Sequence, residues 1–586
     1  MRFKYLDVLK ALAIFAVVLY HSGFLTYGYL GVDLFLVING YFMTKGLNKL
    51  LVVNPSWGGY FQFEISRIAR LLPVLLVAGV FCMALGYFVM LPDNYENLSQ
   101  SVIATNLFGN NILSAITTKN YWDVSNEYKP LMHTWYVGLV MQFYIVYPVL
   151  FYIAKLDKKN VKRTLLVIIS SLALISLLIY FGSINDAERF YYLPSRFFEF
   201  AVGGIIALTW ESKRENKVFH NWFVYVCYVL ILLLFCVNQE IISSRIKLVL
   251  VVALSAVLIM SSTTLENKVA GNSVFAKIGA ASFSIFVWHQ VLLAFYRYTI
   301  SSEFTVAMYL VYLIAVAVFS WLTYHFIEQL TSSWLKEKRS KTAFYVISLI
   351  TLVGLSGFAG YIYLHAGVVR DVPELYIDKD FIHRGMHAEY CDRAYQYDKP
   401  FETDKQHWLV IGNSFGRDFV NVILESNIAD KVEVSYIYEN DYKKRENAIR
   451  FNKANRVFVS SKGISEELIE SVEVQCLANG CNPKNLIVVG DKNFGISNGQ
   501  FYVKRGQPNY FDLRTNMEYG YAERNEQLRS KYREKYIDLI GLVVDEKGTM
   551  PVFTPDHHYI SQDCRHFSKG GAKWFASLID WNLFLD

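Results

Sequence analysis

Apolar stretches of about 20 residues, long enough to cross a bilayer as a helix, recur along this 586-residue chain to about residue 363 and then stop. A chain patterned in this way is divided between two solvents. Its residues are 53% hydrophobic and only 18% charged, which excludes a purely soluble enzyme. Residues 364–586 are mixed in polarity and long enough for one globular domain with its own core. The net charge of +6 comes from scattered Lys and Arg, so no basic tract argues for nucleic acid. Residues 1–22 read as a retained helix, because Asp7 and Lys10 interrupt the apolar run and no small-residue cleavage site follows.

Eleven spans are expected, near 6–25, 31–53, 71–91, 133–154, 164–183, 197–210, 221–238, 246–262, 277–299, 305–327 and 342–363. Lys and Arg accumulate on the cytoplasmic side of membrane proteins. Starting with Arg2 and Lys4 inside, Arg67 and Arg70, the runs 155–163 and 213–217, and Lys336 to Lys341 all fall in inside segments. An odd number of spans then puts the C-terminal domain outside. Segment 95–116 is amphipathic enough to lie at the interface. Outside the cytoplasm, Cys476 with Cys481 and Cys391 with Cys564 would form bridges, one of three possible pairings.

Ionisable residues inside a bilayer are costly and face a bundle interior or an aqueous path. Lys10 and His21 are eleven residues apart, nearly three helical turns, so one stripe carries both, about 16 Å apart. A snorkelling Lys and a hydrogen-bonded His are the plain alternative. Asp33, His133, Arg196, Glu199, His289 and Glu328 also fall in spans, more polar groups than an inert anchor requires. Arg67 and Arg70 share a helical face on the cytoplasmic side, where two guanidinium forks suit phosphates of a soluble donor; ordinary positive-inside flanking is the alternative.

In the C-terminal region, HWLVIGNSFGRD reads as a short buried strand, Trp408 to Ile411, a turn at Gly412 and then a helix. Ser414 sits at that corner, where a serine exposes its hydroxyl beside backbone N–H groups, although a helix N-cap has the same signature. SQDCRHFSKGG places Asp563 three residues before His566, so the carboxylate can orient the imidazole that a serine needs as base. His557 and His558 lack an acidic residue at that spacing and read as loop or substrate-site residues. Asp418 follows Ser414 by one helical turn and reads as a support of that turn.

The order LDVLKALAIFAVVLYH, GVDLFLVINGYF, SRIARLLP, KPLMHTWYVGLVMQFYIVYP, LPSRFFEFAVGG, IGAASFSIFVWH and FSWLTYHFIEQ resembles the acyltransferase-3 family across residues 1–335. Members are multi-pass O-acyltransferases that take acetyl from cytoplasmic acetyl-CoA to extracytoplasmic glycans. The resemblance implies a role for His21 in acyl transfer and places Lys10, Arg67 and Arg70 near the donor, with no metal. Three positions depart from the family: Lys10 replaces an Arg, Val140 and Met141 stand where a Glu is usual, and Asn39 stands where a Ser is usual.

The Ser414 block, VVGDKNFG and the terminal Asp-x-x-His together resemble the SGNH hydrolase family, a three-layer α/β fold, over residues 405–586. That resemblance makes Ser414, Asp563 and His566 a triad and Asn493 the oxyanion Asn, with Gly463 the candidate offered for the oxyanion Gly. Asn413 replaces the usual Asp of the first block. The expected architecture is a helical membrane domain of ten spans (1–335), a linking span at about 342–363 with a connector (336–404), and an extracytoplasmic SGNH domain (405–586). The expected protein is an inner-membrane O-acetyltransferase of bacteria, with its N-terminus cytoplasmic and its C-terminal domain periplasmic. Its partners would be acetyl-CoA, the bilayer and a surface glycan or lipid-linked oligosaccharide, foremost lipopolysaccharide O-antigen. Peptidoglycan as acceptor, or a glycan-precursor transporter with an esterase or binding tail, are the alternatives.

Overall fold

The computed structural model describes residues 4–53, 56–117, 126–157, 159–183, 185–210, 221–261, 274–301, 304–335, 338–367, 372–376, 386–495 and 498–585. The basic run 213–217, Arg2 and Lys336 lie outside the described residues. The chain divides into two compact units. One comprises 1–86, 98–297 and 301–360; the other comprises 87–97, 298–300 and 361–586.

The first unit is helical. Each of the eleven expected spans holds a helix, beginning with α1 (Lys4–His21), α2 (Gly31–Val53) and α3 (Trp57–Val89). Among the described residues five helices are long and apolar enough to cross a membrane, and six if the pair Val274–Ala280 and Ser282–Thr299, bent by 72°, is one span. The others fall short of eleven through polarity or length. Lys4, Asp7 and Lys10 interrupt α1, while Leu193–Thr209, Asn221–Cys236 and Ser244–Met260 have only 17, 16 and 17 residues. Segment 95–116 forms two helices, Pro92–Asn106 and Asn110–Thr117.

Small residues let these helices approach closely. A Cβ on Gly40 would stand 1.9 Å from the Phe200 carbonyl oxygen, and one on Gly203 would stand 2.0 Å from that of Val37. Glycines at this crossing bring the backbones of α2 and Leu193–Thr209 into van der Waals contact, the main source of helix association where no water is present. The crossing also brings buried Arg196 against Asp33 and 3.0 Å from Glu199.

In the second unit a parallel sheet is built from β1 (Gln406–Gly412), β2 (Val432–Tyr438), β3 (Arg456–Val459), β4 (Leu486–Val489) and β6 (Tyr536–Ile537), in the order β2-β1-β3-β4-β6. A separate antiparallel pair joins β5 (Arg514–Asn516) to β7 (Thr549–Pro551). Runs such as WLVI and LIVV suit strands covered on both faces, and β4 is buried throughout. Strand order reverses between β1 and β3. In open parallel sheets, ligands bind beyond the carboxyl ends of the strands at such a reversal.

Segment 386–400 packs on this sheet domain rather than hanging free. Arg393 reaches Asn421 at 2.6 Å and Glu425 at 2.8 Å, Asp392 pairs with Arg417, and Asp398 lies 2.6 Å from Arg450.

The cysteines correct the expected bridges, since all seven are free thiols. Cys391 donates to Asp418 at 3.5 Å and Cys564 to Asn498 at 3.4 Å, so separate polar partners hold them. Cys476 and Cys481 stand unbridged across the turn that ends helix Glu466–Ala478, where the Cys481 backbone N–H donates to the Cys476 carbonyl oxygen at 2.9 Å.

Candidate acyl-transfer sites

Ser414 is the first residue of helix Ser414–Leu424, and the residue before it is the N-cap. Asn413 Oδ1 accepts from the Phe415 N–H at 3.1 Å, so the cap is provided without the serine and Ser414 Oγ is left for another partner. Gly412 makes the corner possible: a Cβ there would stand 1.7 Å from the Ser460 carbonyl oxygen.

The partner is His566. Its Nε2 lies 2.9 Å from Ser414 Oγ and its Nδ1 lies 2.5 Å from Asp563 Oδ2. Asp563 Oδ1 accepts from the backbone N–H of Arg565 at 3.0 Å and of His566 at 2.8 Å, and from Ser561 Oγ at 3.1 Å. The carboxylate is therefore held on one side while it orients the imidazole on the other. Burial lowers the pKa of His566 from its ordinary value, against the opposing pull of Asp563.

Asn493 is fully buried. Its Oδ1 accepts from the N–H groups of Gly495 at 3.0 Å and Glu518 at 2.9 Å, while its Nδ2 has no hydrogen-bond partner among the described residues. A donor held in this way, with its acceptor end already satisfied, suits a developing oxyanion. Gly463 does not suit that task, because its N–H already donates to Asp491 Oδ2 at 3.0 Å.

Asp418 is a brace. It pairs with buried Lys492 at 2.7 Å and accepts from the Phe567 N–H at 3.2 Å, which fixes the residue after His566. Lys492 also lies 3.3 Å over the Phe415 ring. The sequence marks Lys492 only as a lone ammonium just before Asn493, shortly after an apolar strand. His557 stacks on Phe511 and His558 packs against Tyr376.

Two cavities of the helical unit are lined by described residues. One, of about 740 Å³, is lined by His21, His133, Glu127, Arg196 and Arg297 among others. The other, of about 220 Å³, is lined by Lys10, Asn39, Arg67, Arg70, Val140 and Tyr144 among others. Lys10 and His21 therefore share a helix but not a chamber. Tyr136 and Phe286 line both cavities, and their rings meet edge to face at 5.2 Å. Asn39 donates to the Tyr136 hydroxyl at 2.6 Å and accepts from that of Tyr144 at 3.0 Å.

His289 lies between His21 and His133, with ring centroids 5.1 and 5.3 Å away. Among the described residues, no group of His, Cys, Asp and Glu is arranged to hold a metal ion. Arg297, which the sequence did not single out, donates to the His21 carbonyl at 2.9 Å and that of Glu127 at 3.1 Å, and so ties the end of α1. Val140, at the position of the family's usual Glu, lines the cavity of Arg67 and Arg70, so no carboxylate from that position offsets their charge.

Comparison with known proteins reaches the helical half. The chain is 29% identical over 349 residues to "Putative O-acetyltransferase SACOL0978" of Staphylococcus aureus (strain COL), covering 55% of this chain and 56% of the relative. It is 25% identical over 351 residues to "Putative peptidoglycan O-acetyltransferase YrhL" of Bacillus subtilis (strain 168), covering 55% and 54%. It is 24% identical over 392 residues to "O-acetyltransferase OatA" of Staphylococcus aureus (strain MRSA252), covering 59% and 61%. The chain thus spans about half the length of the curated relatives it matches. No solved structure matches it. The acyltransferase domain model matches residues 3–325, more than half of the chain, and the protein belongs to that acyltransferase family.

Proposed function

We propose that this protein is a membrane O-acetyltransferase that carries acetyl from cytoplasmic acetyl-CoA to a hydroxyl of an extracytoplasmic glycan. The observation that carries the reading is the hydrogen-bonded series Ser414–His566–Asp563 in a chain whose other half belongs to the acyltransferase family. Acetyl-CoA carries phosphates that cannot enter hydrocarbon cheaply, so its acetyl group must pass to the protein on the cytoplasmic side. Arg67 and Arg70, with Lys10, line the cavity that would take the donor. Transfer through the membrane half involves His21, beyond the wall formed by Tyr136 and Phe286.

On the outer side, Ser414 Oγ attacks the acetyl carbonyl carbon while His566 Nε2 takes the serine proton. The tetrahedral oxyanion is met by Asn493 Nδ2; as it collapses, the bond from the acetyl carbon to the acyl carrier that delivered it breaks, and His566 gives the serine proton to the departing carrier atom. A sugar hydroxyl then attacks the acetyl-serine, giving its proton to His566. The serine oxygen leaves and is reprotonated by the same imidazole.

The acceptor proposed is lipopolysaccharide O-antigen. The name of the B. subtilis relative favours peptidoglycan as a second reading. Mass spectrometry of both polymers from cells carrying the wild type or Ser414→Ala decides between them. The expected result is loss of O-acetyl from one polymer in the variant. More acetyl in Ser414→Ala identifies an esterase, and altered glycan export with unchanged acetyl per sugar identifies a transporter.

A further inference from the structure

A cleft of about 400 Å³ lies at the carboxyl ends of β2 and β3, lined by Glu439, Tyr442, Lys443, Ser461, Lys462 and Ser465 among others. The acyl-transfer steps above do not use it. Asn413 joins it to the nucleophile. Its Oδ1 accepts from the Lys462 N–H at 3.1 Å, its Nδ2 donates to Glu439 Oε1 at 3.5 Å, and Ser414 is the next residue. Ser461 Oγ donates to the other oxygen of Glu439.

These contacts restrict what the cleft can bind. A carboxylate only accepts and offers about four lone-pair sites, of which Asn413 and Ser461 occupy one on each oxygen. The Lys443 and Lys462 ammonium groups only donate. A ligand suited to both must donate and accept through the same groups, as hydroxyls do. Two open sites on one carboxylate match two adjacent hydroxyls.

We propose that this cleft is the acceptor subsite, in which a pyranose ring presents a vicinal diol to Glu439 while Lys462 donates to a sugar oxygen. The proposal rests on the transferase reading and gives its acceptor a chemical class. It also accounts for Asn413 in place of the usual Asp: a carboxylate there would stand within about 3.5 Å of Glu439, where like charges disfavour ionisation.

The test uses the full-length chain in detergent with p-nitrophenyl acetate as acetyl source, and chitotetraose or methanol as acceptor. A burst of p-nitrophenol without sugar reports acetyl arriving on Ser414. In Glu439→Gln, the KM for chitotetraose is expected to rise by about tenfold or more, as loss of a hydrogen bond to a charged group implies, while methanol still takes acetyl. Lys462→Met, which keeps the backbone N–H bonded to Asn413, is expected to act in the same direction. Asn413→Asp should weaken the burst, and adding Glu439→Gln should restore it. An unchanged chitotetraose KM in both single variants, with the burst intact, overturns the subsite and leaves the transferase reading standing. An equal rise for methanol makes Glu439 merely structural and also overturns it. A wild type without any burst sinks both.

Discussion

Asn493 and His566 allow the proposed serine chemistry to be tested one atom at a time. Replacing Asn493 with Ala removes a side-chain donor typically worth about 3 kcal/mol, so acetyl transfer is expected to slow on the order of a hundredfold. The far-ultraviolet circular dichroism of the protein should stay unchanged. The base must be neutral to accept the serine proton, and burial lowers the pKa of His566. The acid limb of the transfer rate is therefore expected below the ordinary histidine value of about 6.5, with activity lost as pH falls through the depressed pKa. A pH–rate profile with its acid limb above that value would contradict this. The spatial grouping of Ser414, Asp563 and His566 was legible because a strand-to-helix corner and an Asp-x-x-His spacing are local patterns. The engagement of Gly463 by Asp491 was not legible, since it depends on which loops the sheet order brings together.

At the level of elements, the contact between α2 and Leu193–Thr209 is set by two glycines whose Cβ positions are filled by backbone. Gly203→Val drives a side chain into the Val37 carbonyl and should separate Arg196 from Asp33. The expected outcome is a lower midpoint of thermal unfolding in detergent and loss of glycan acetylation, whereas Gly354→Ala, in open space on helix Lys338–Leu364, should change neither. The helices themselves were legible from apolar length. Their breaks were not: the 72° bend between Ala280 and Ser282 falls inside one expected span, 277–299, where Gly279 comes close to the Asp7 carbonyl of α1, a contact that the spacing of apolar residues does not record. Packing likewise separates Lys10 from His21, because Tyr136 and Phe286 come from other helices and leave no mark on the periodicity of α1.

For the whole molecule, the proposed relay makes a bypass possible. His21→Ala is expected to abolish acetylation from acetyl-CoA, yet p-nitrophenyl acetate supplied outside the cell should restore it by acylating Ser414 directly. Ser414→Ala should respond to neither donor, and failure of the ester to rescue His21→Ala would separate the two sites. A reporter fused after Asp586 should be active only outside the cytoplasm. The edge-to-face pair Tyr136 and Phe286 has one further consequence. With hollows on either side, these two rings are walls common to both. In the proposed relay the hollows face opposite sides of the bilayer, so trimming either ring to Ala is expected to open a proton leak, read as a fall in the standing voltage of cells expressing the variant even when no acetyl donor is present.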